Sequence, residues 1–446
     1  MTITLIRPNM YDDRSSDAME PLCFAILKAL TPSNIDVSFF DERLEPVPFD
    51  HPTDLVAMTV ETYTARRAYQ IADTYRERGV PVVMGGYHPT FLPLETLAHA
   101  DAIVKGDAEG VWGRVLSDAR SGSLQSIYES AEFPSLAGCI PDRSIFAGKK
   151  YVPIGLVQYS RGCKFNCSFC SIHAFYGTSL RQRPVEDVVE DIRRSGRRHI
   201  FLVDDNLFVN EDKARELFEA LIPLNISWSC QVSIDIARNP ELVQLMARSG
   251  CISALIGFES LDSESLKEIK KGWNVKWVSY DDAIRVFREA GIMLYGTFVF
   301  GCDNDTAGSL DASVNFAIRN KFLLANFNPL TPTPGAPLYD RMKKEGRLLH
   351  DRWWLDPNFS YGDATLKPSR MTAGQLTDAC FDARRKFNTA RSIWHRMFDV
   401  RTNFRSPFRA GIYLLANLIS RREIHSKQSR PLGAAVVQDC FKERHA

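Results

Sequence analysis

The chain has 446 residues, enough for two or three domains, each with its own core. Hydrophobic residues make up 45% and charged residues 24%, which excludes collagen-like, low-complexity and wholly disordered chains. Lys and Arg number 55 against 54 Asp and Glu, for a formal net charge of +1. That balance excludes a dedicated nucleic-acid binder, whose affinity needs a cationic excess.

No apolar run is long enough to span a bilayer. Residues 1–7 carry no charged leader ahead of a long apolar stretch, so no secretory signal is expected and the reducing cytoplasm is the expected compartment. The ten cysteines then read as thiols or metal ligands rather than disulfides.

Apolar, β-branched segments predict strands over 2–7, 35–40, 55–60, 80–84 and 102–104, with helices over 21–29, 65–77, 93–98 and 110–119 between them. This alternation predicts a doubly wound parallel sheet in an α/β domain over 1–122, followed by a linker over 123–150. Ligands of such sheets bind beyond the carboxyl ends of the strands. The segments placed there include 61–64, with Glu61 and Thr62, and 85–90, with Gly85, Gly86, His88 and Thr90. Two glycines after a strand let a ligand approach the backbone, although a tight turn needs the same pair. No Gly-x-Gly-x-x-Gly follows the first strand, which argues against a dinucleotide site.

The middle of the chain carries Cys163, Cys167 and Cys170 in a C-x3-C-x2-C spacing. Three thiolates so close on one loop can converge on a soft metal centre, and three ligands leave one iron of a four-iron cluster open. A structural zinc site is the rival, with His173 as a fourth ligand. A strand over 154–159 leads into the loop. Further strands are predicted over 200–204, 227–234, 253–258, 293–300 and 325–330. Helices over 213–221, 240–249, 279–290 and 309–320 alternate with them, and Val185, Val188, Val189 and Ile192 mark one helix face. Six strands, all but the last followed by a helix, predict a partial (β/α)6 barrel over 151–345 with its site at the strand carboxyl ends.

The cysteine spacing, Phe169 before the last cysteine and the six βα units resemble the radical S-adenosylmethionine superfamily. The likeness extends to residues 171–177, 183–186, 203–206, 256–260 and 330–339. With 84–90 and 106–110 it points to the branch that has an N-terminal cobalamin-binding-type Rossmann domain. The resemblance implies a 4Fe–4S cluster on Cys163, Cys167 and Cys170, whose open iron holds S-adenosylmethionine and cleaves it to a 5′-deoxyadenosyl radical that abstracts hydrogen from an unactivated C–H. It places Asp204 and Asp205 at the methionine amino group, although the usual Gly-Gly-Glu is absent. By the same comparison Gln231 and Ser233 lie at the carboxylate or ribose, Glu259 at the adenosyl moiety and Phe169 at the adenine. It implies cobalamin along Glu61, Thr62, Gly85, Gly86, His88 and Thr90, although residues 8–14 lack the histidine of the Asp-x-His-x-x-Gly motif. Cobalamin-dependent methyl transfer to carbon is the expected reaction. The alternatives are a non-methylating radical enzyme, acting by dehydration, rearrangement, oxidation or epimerisation, and a zinc-stabilised binding protein. The implied partners are a small-molecule substrate and a flavodoxin or ferredoxin-type reductant.

Residues 346–446 predict a mainly helical region, with a helix over 373–387 and Trp353 and Trp354 as inter-domain packing. From 381 to 446 there are 14 Lys and Arg against 5 Asp and Glu, flanking the apolar decamer 411–420. A solvated basic helix is expected there, with contact to a membrane surface as the rival reading. The last fifteen residues are expected to lack fixed structure.

Overall fold

The computed structural model describes residues 1–11, 14–208 and 210–433. Residues 12 and 13 of the loop after the first strand, and all but the first two of the last fifteen, lie outside that set. The first sheet holds β1 (Thr2–Arg7), β2 (Asp36–Asp41), β3 (Leu55–Thr59), β4 (Val82–Gly85), β5 (Ala102–Lys105) and β6 (Ile127–Glu129). All are parallel, in the order β2-β1-β3-β4-β5-β6. The strand order reverses around β1, which opens a crevice at the carboxyl ends of β1 and β3. Strand β6 lies in the stretch expected as a linker. It is only three residues long and exposed at both ends, so it shows no apolar alternation.

The second sheet is also six-stranded and parallel. It holds β7 (Gly155–Val157), β10 (His199–Leu202), β11 (Ser227–Gln231), β12 (Cys251–Glu259), β13 (Met293–Phe300) and β14 (Leu324–Pro329) in sequential order. Between β7 and β10 run two-residue antiparallel strands, β8 (Ser160–Arg161) and β9 (Arg181–Gln182), which pin together the two ends of the cysteine loop. The helices between strands start where polar side chains satisfy the orphan N–H groups of the first turn. Asn210, Asn239, Ser279 and Thr306 accept from the backbone N–H three residues on.

Alternation along β13 and β14 makes one face dry and the other wet. Phe298 stacks at 5.3 Å on Phe327 and lies 5.7 Å from Phe258, under the helices. Tyr295, Asn326 and Asn328 point the other way and line cavities. The C-terminal helices are Ala373–Phe387, Ala390–Met397 and Pro407–Lys427. The first packs on β14 through Phe387 and Phe327. Among the described residues no helix is long and apolar enough to cross a membrane.

Candidate functional site

The cysteine loop leaves β8 through Gly162, whose φ of +97° and lack of a side chain are both required. A Cβ there would sit 2.1 Å from the Ser179 carbonyl oxygen. The loop is braced from three sides. Ser168 N–H donates to the Ile269 carbonyl (3.0 Å), and the Ser168 carbonyl accepts from Leu338 N–H (2.8 Å). Phe165 lies flat on Trp273, centroids 3.4 Å apart. Arg161, at the loop's base, reaches the first domain, pairing with Asp107 (3.0 Å) and Glu109 (2.6 Å), while Arg181 also pairs with Asp107 (2.6 Å). Burial would raise the Glu109 carboxyl, but the Arg161 guanidinium outweighs it and holds the group below its usual range.

The three thiols share one electrostatic neighbourhood: Cys167 feels both Cys163 and Cys170. Burial pushes all three thiols up, Cys167 to about 11, while Lys271 pulls each of them down. Backbone N–H groups of Ile172 and His173 favour the ionised form of Cys170, and Asn206 Nδ2 lies 3.9 Å from Cys163 Sγ. The set offers three sulfur donors with a buried cation beside them to favour their ionisation on metal binding, which suits a soft metal centre. Among the described residues no group of three or more His, Cys, Asp or Glu side chains is already converged on a metal ion.

The acidic side chains nearby divide by task. Asp204 is buried and accepts from Tyr159 N–H (3.2 Å), from Ser160 N–H and from Ser160 Oγ (2.5 Å). Expected at a cofactor's amino group, its oxygens here hold the entry to the cysteine loop. Asp205 accepts from Gly162 N–H at 2.8 Å. Burial drives the Asp204 carboxyl to about 7 and that of Asp205 to about 6. Gln231 is exposed, its Nε2 on the Asp205 carbonyl (3.0 Å), and Ser233 bonds Asn206 and Asp235.

Glu259 ends β12 in a left-handed conformation, φ +62°, at a register shift of the sheet. Its Oε1 lies 2.7 Å from Lys271 Nζ, both side chains being about nine-tenths buried. A Cβ on Gly257 would fall 2.2 Å from Glu259 Oε1 and 2.5 Å from Lys271 Nζ, so the glycine makes room for the pair. Asn274 and Tyr280 satisfy the Phe258 carbonyl behind it (3.2 and 2.7 Å). Sequence reasoning missed Lys271, because Lys270-Lys271-Gly272 reads as a solvated helix end. Cys302 is a buried thiol 3.9 Å from the Ser265 carbonyl, within an apolar cluster.

Two cavities open at the carboxyl ends of the first sheet. One, about 310 Å³, runs between that sheet and its helices and is lined by Glu61, Gly85, Gly86 and Trp112. The other, about 450 Å³, lies between the sheets and is lined by Glu61, Tyr63, Phe169 and Asn328. Thr62, His88 and Thr90, expected with the first group, line neither. His88 is fully buried, 3.4 Å from Thr62 Oγ1, 3.0 Å from Tyr69 OH and 3.1 Å from Glu95 Oε1, which also accepts from Trp354 Nε1 (2.8 Å). Thr90 bonds the Gly86 carbonyl and Gly106 N–H (2.8 and 3.1 Å). These polar groups hold the turn from behind. Trp353 and Trp354 are buried packing, as expected.

A sequence model described as the radical SAM superfamily matches residues 157–316. The chain is 30% identical over 390 residues to bacteriochlorophyllide d C-12(1)-methyltransferase of Chlorobaculum tepidum, covering 84% of each chain. It is 31% identical over 366 residues to bacteriochlorophyllide d C-8(2)-methyltransferase of the same organism, covering 77% of this chain and 80% of the other. Its fold is similar to that of a radical S-adenosylmethionine methyltransferase, TsrM, from Kitasatospora setae with cobalamin and [4Fe-4S] cluster bound. There the TM-score is 0.64 at 17% identity, over 86% of this chain and 81% of that one.

Proposed function

The chain belongs to the radical SAM superfamily, and from that membership we propose that it transfers a methyl group to an unactivated carbon of a tetrapyrrole, with a corrinoid as methyl carrier. The observation that carries the reading is the pair of cavities at the carboxyl ends of the first sheet, one bordered by Gly85 and Gly86 and the other reaching Phe169 of the cysteine loop, with Glu61 on the wall of both. Glycine-lined backbone in one and Phe169 of the cysteine loop in the other give two different cofactors adjoining places. The two tetrapyrrole methyltransferases similar over most of the chain support the substrate class.

In this reading Cys163, Cys167 and Cys170 hold a 4Fe–4S cluster, and Glu61, Gly85 and Gly86 border the corrinoid. When bound, these groups supply the electron that splits S-adenosylmethionine and the carrier of its methyl group. The protein's share is positioning and exclusion of water. Lys271 offsets the negative charge of three thiolates, and Glu259 keeps that cation in register. Asp205 anchors Gly162 through one oxygen and presents its charge toward the cofactor's ammonium group, with Gln231 and Ser233 beside it. Phe169 offers a flat apolar wall for adenine. A flavodoxin or ferredoxin-type protein is the proposed electron donor.

The test is an anaerobically reconstituted enzyme. About four irons per chain are expected, with 5′-deoxyadenosine formed from S-adenosylmethionine under dithionite; Cys167→Ala should abolish both. Adding corrinoid and a chlorophyllide should produce S-adenosylhomocysteine and a methylated pigment. Deoxyadenosine without S-adenosylhomocysteine would replace methyl transfer by the non-methylating alternative.

A further inference from the structure

Two guanidiniums are buried in the C-terminal region, and their surroundings differ. Arg396 donates to the carbonyls of Phe322 (2.8 Å), Leu323 (3.0 Å) and Phe387 (3.1 Å), to Asn417 Oδ1 (2.9 Å) and to Ser392 Oγ (3.2 Å). Every nitrogen of that fork is used, and it ties the helices to the sheet. Arg384, 7% exposed, donates through Nε to the Cys380 carbonyl (3.3 Å) and through Nη2 to Gln428 Oε1 (3.0 Å). Among the described residues Nη1 has no hydrogen-bond partner and no carboxylate pairs with the group. Burial lowers its pKa, and no carboxylate opposes that shift. A buried cation without a counter-charge is costly and is retained where a ligand completes it.

Arg384 stands on a shared wall. The 450 Å³ cavity that reaches Phe169 and a second one of about 420 Å³ under helix Pro407–Lys427 are both lined by Asn328, Tyr361 and Arg384. The carboxylates around these cavities do not pair with Arg384. Asp17 and Glu423 both pair with Lys427 (3.1 and 2.9 Å), Asp363 accepts from Ser360 N–H (2.9 Å), and Glu61, which bonds Thr64 through its backbone, forms no ion pair with Arg384. Gly362, at φ +94°, admits Gln428 and Arg384; a Cβ would meet them at 2.7 and 3.2 Å.

We propose that the two cavities form one substrate chamber in which Arg384 binds a carboxylate of the substrate, turning its apolar body toward Phe169 and the cysteine loop. A planar guanidinium with one open nitrogen matches a carboxylate edge, and an ester cannot supply the charge. The assignment rests on the tetrapyrrole reading above.

Protoporphyrin IX and its dimethyl ester, titrated by absorbance onto the cluster-reconstituted enzyme, test it. The free acid should bind roughly tenfold or more tightly than the ester. Arg384→Gln should remove that preference by weakening the acid alone, and Arg384→Lys should restore part of it. Ester binding and circular dichroism report whether the Gln variant is folded; if it is not, Arg384→Lys decides, with an unchanged preference counting against the assignment. Wild type without acid preference, or a folded Arg384→Gln that keeps it, overturns the proposal. An enzyme that makes 5′-deoxyadenosine and binds neither porphyrin sinks the tetrapyrrole reading and Arg384's role together. Acid preference lost in Arg384→Gln, with no S-adenosylhomocysteine formed, removes methyl transfer and leaves Arg384 in place.

Discussion

At the carboxyl ends of the first sheet Gly85 and Gly86 leave peptide groups open to a cavity, His88 and Thr90 bond away from it, and the acids that line it at Asp107 and Glu109 are neutralised by Arg161. At the carboxyl ends of the second sheet side chains crowd together, with three thiols, a buried Glu259–Lys271 pair and two acids whose carboxyls burial pushes upward. Both sheets are parallel and six-stranded, so topology alone did not set this difference. It arises in the loops, where one edge leaves peptide groups open beside a cavity and the other holds charge out of water.

The comparison breaks most visibly at Lys271. Lys271→Met leaves Glu259 buried without its cation, which should cost about 3–5 kcal/mol, while Glu259→Gln in the same chain should recover much of it. Urea denaturation of the single and double variants measures this; a loss that the second change does not repair would mean the pair is not the unit it appears in the coordinates. Next come two glycines with the same strain and different neighbours. Gly162→Ala and Gly86→Ala each force a side chain into a left-handed position, at about 1–3 kcal/mol for the backbone alone. Gly162→Ala should also lower iron per chain, because its Cβ meets Ser179 at the base of the cysteine loop, whereas Gly86→Ala, which meets Val60 at 2.8 Å, should leave iron content unchanged. Equal iron in both variants would erase the distinction between the two edges.

The most gradual effect is on pH dependence, spread over about three pH units. Burial raises the folded Asp204 carboxyl from 3.8 to about 7, so the folded state holds the extra proton between those values. Stability of the cluster-free protein should therefore fall as pH rises from about 4 to about 7, by at most about 1.4 kcal/mol per pH unit from this group, and level off above. Asp204→Asn should flatten the profile measured by denaturation midpoints.

The strands of both sheets were legible because their apolar runs are long enough to carry a period: β1 and β13 fall on the expected bounds, and so does helix Ala373–Phe387. Strand β6 was not legible, being three residues of an edge. The cysteine loop was plain from spacing. Lys271 and Arg384 were invisible, since a cation's burial depends on residues far away in sequence. The setting of His88 was equally hidden: its partners Tyr69 and Glu95 are known only from the fold.

Glu95 accepts from His88 and Tyr69 within the first domain and from Trp354 far along the chain. One carboxylate thus rivets the domain to the segment that follows the second sheet. Swinging the two sheets apart there would strand a buried acid and uncover two indoles at once. Widening the gap between them therefore costs this shared contact, which favours the width it has now.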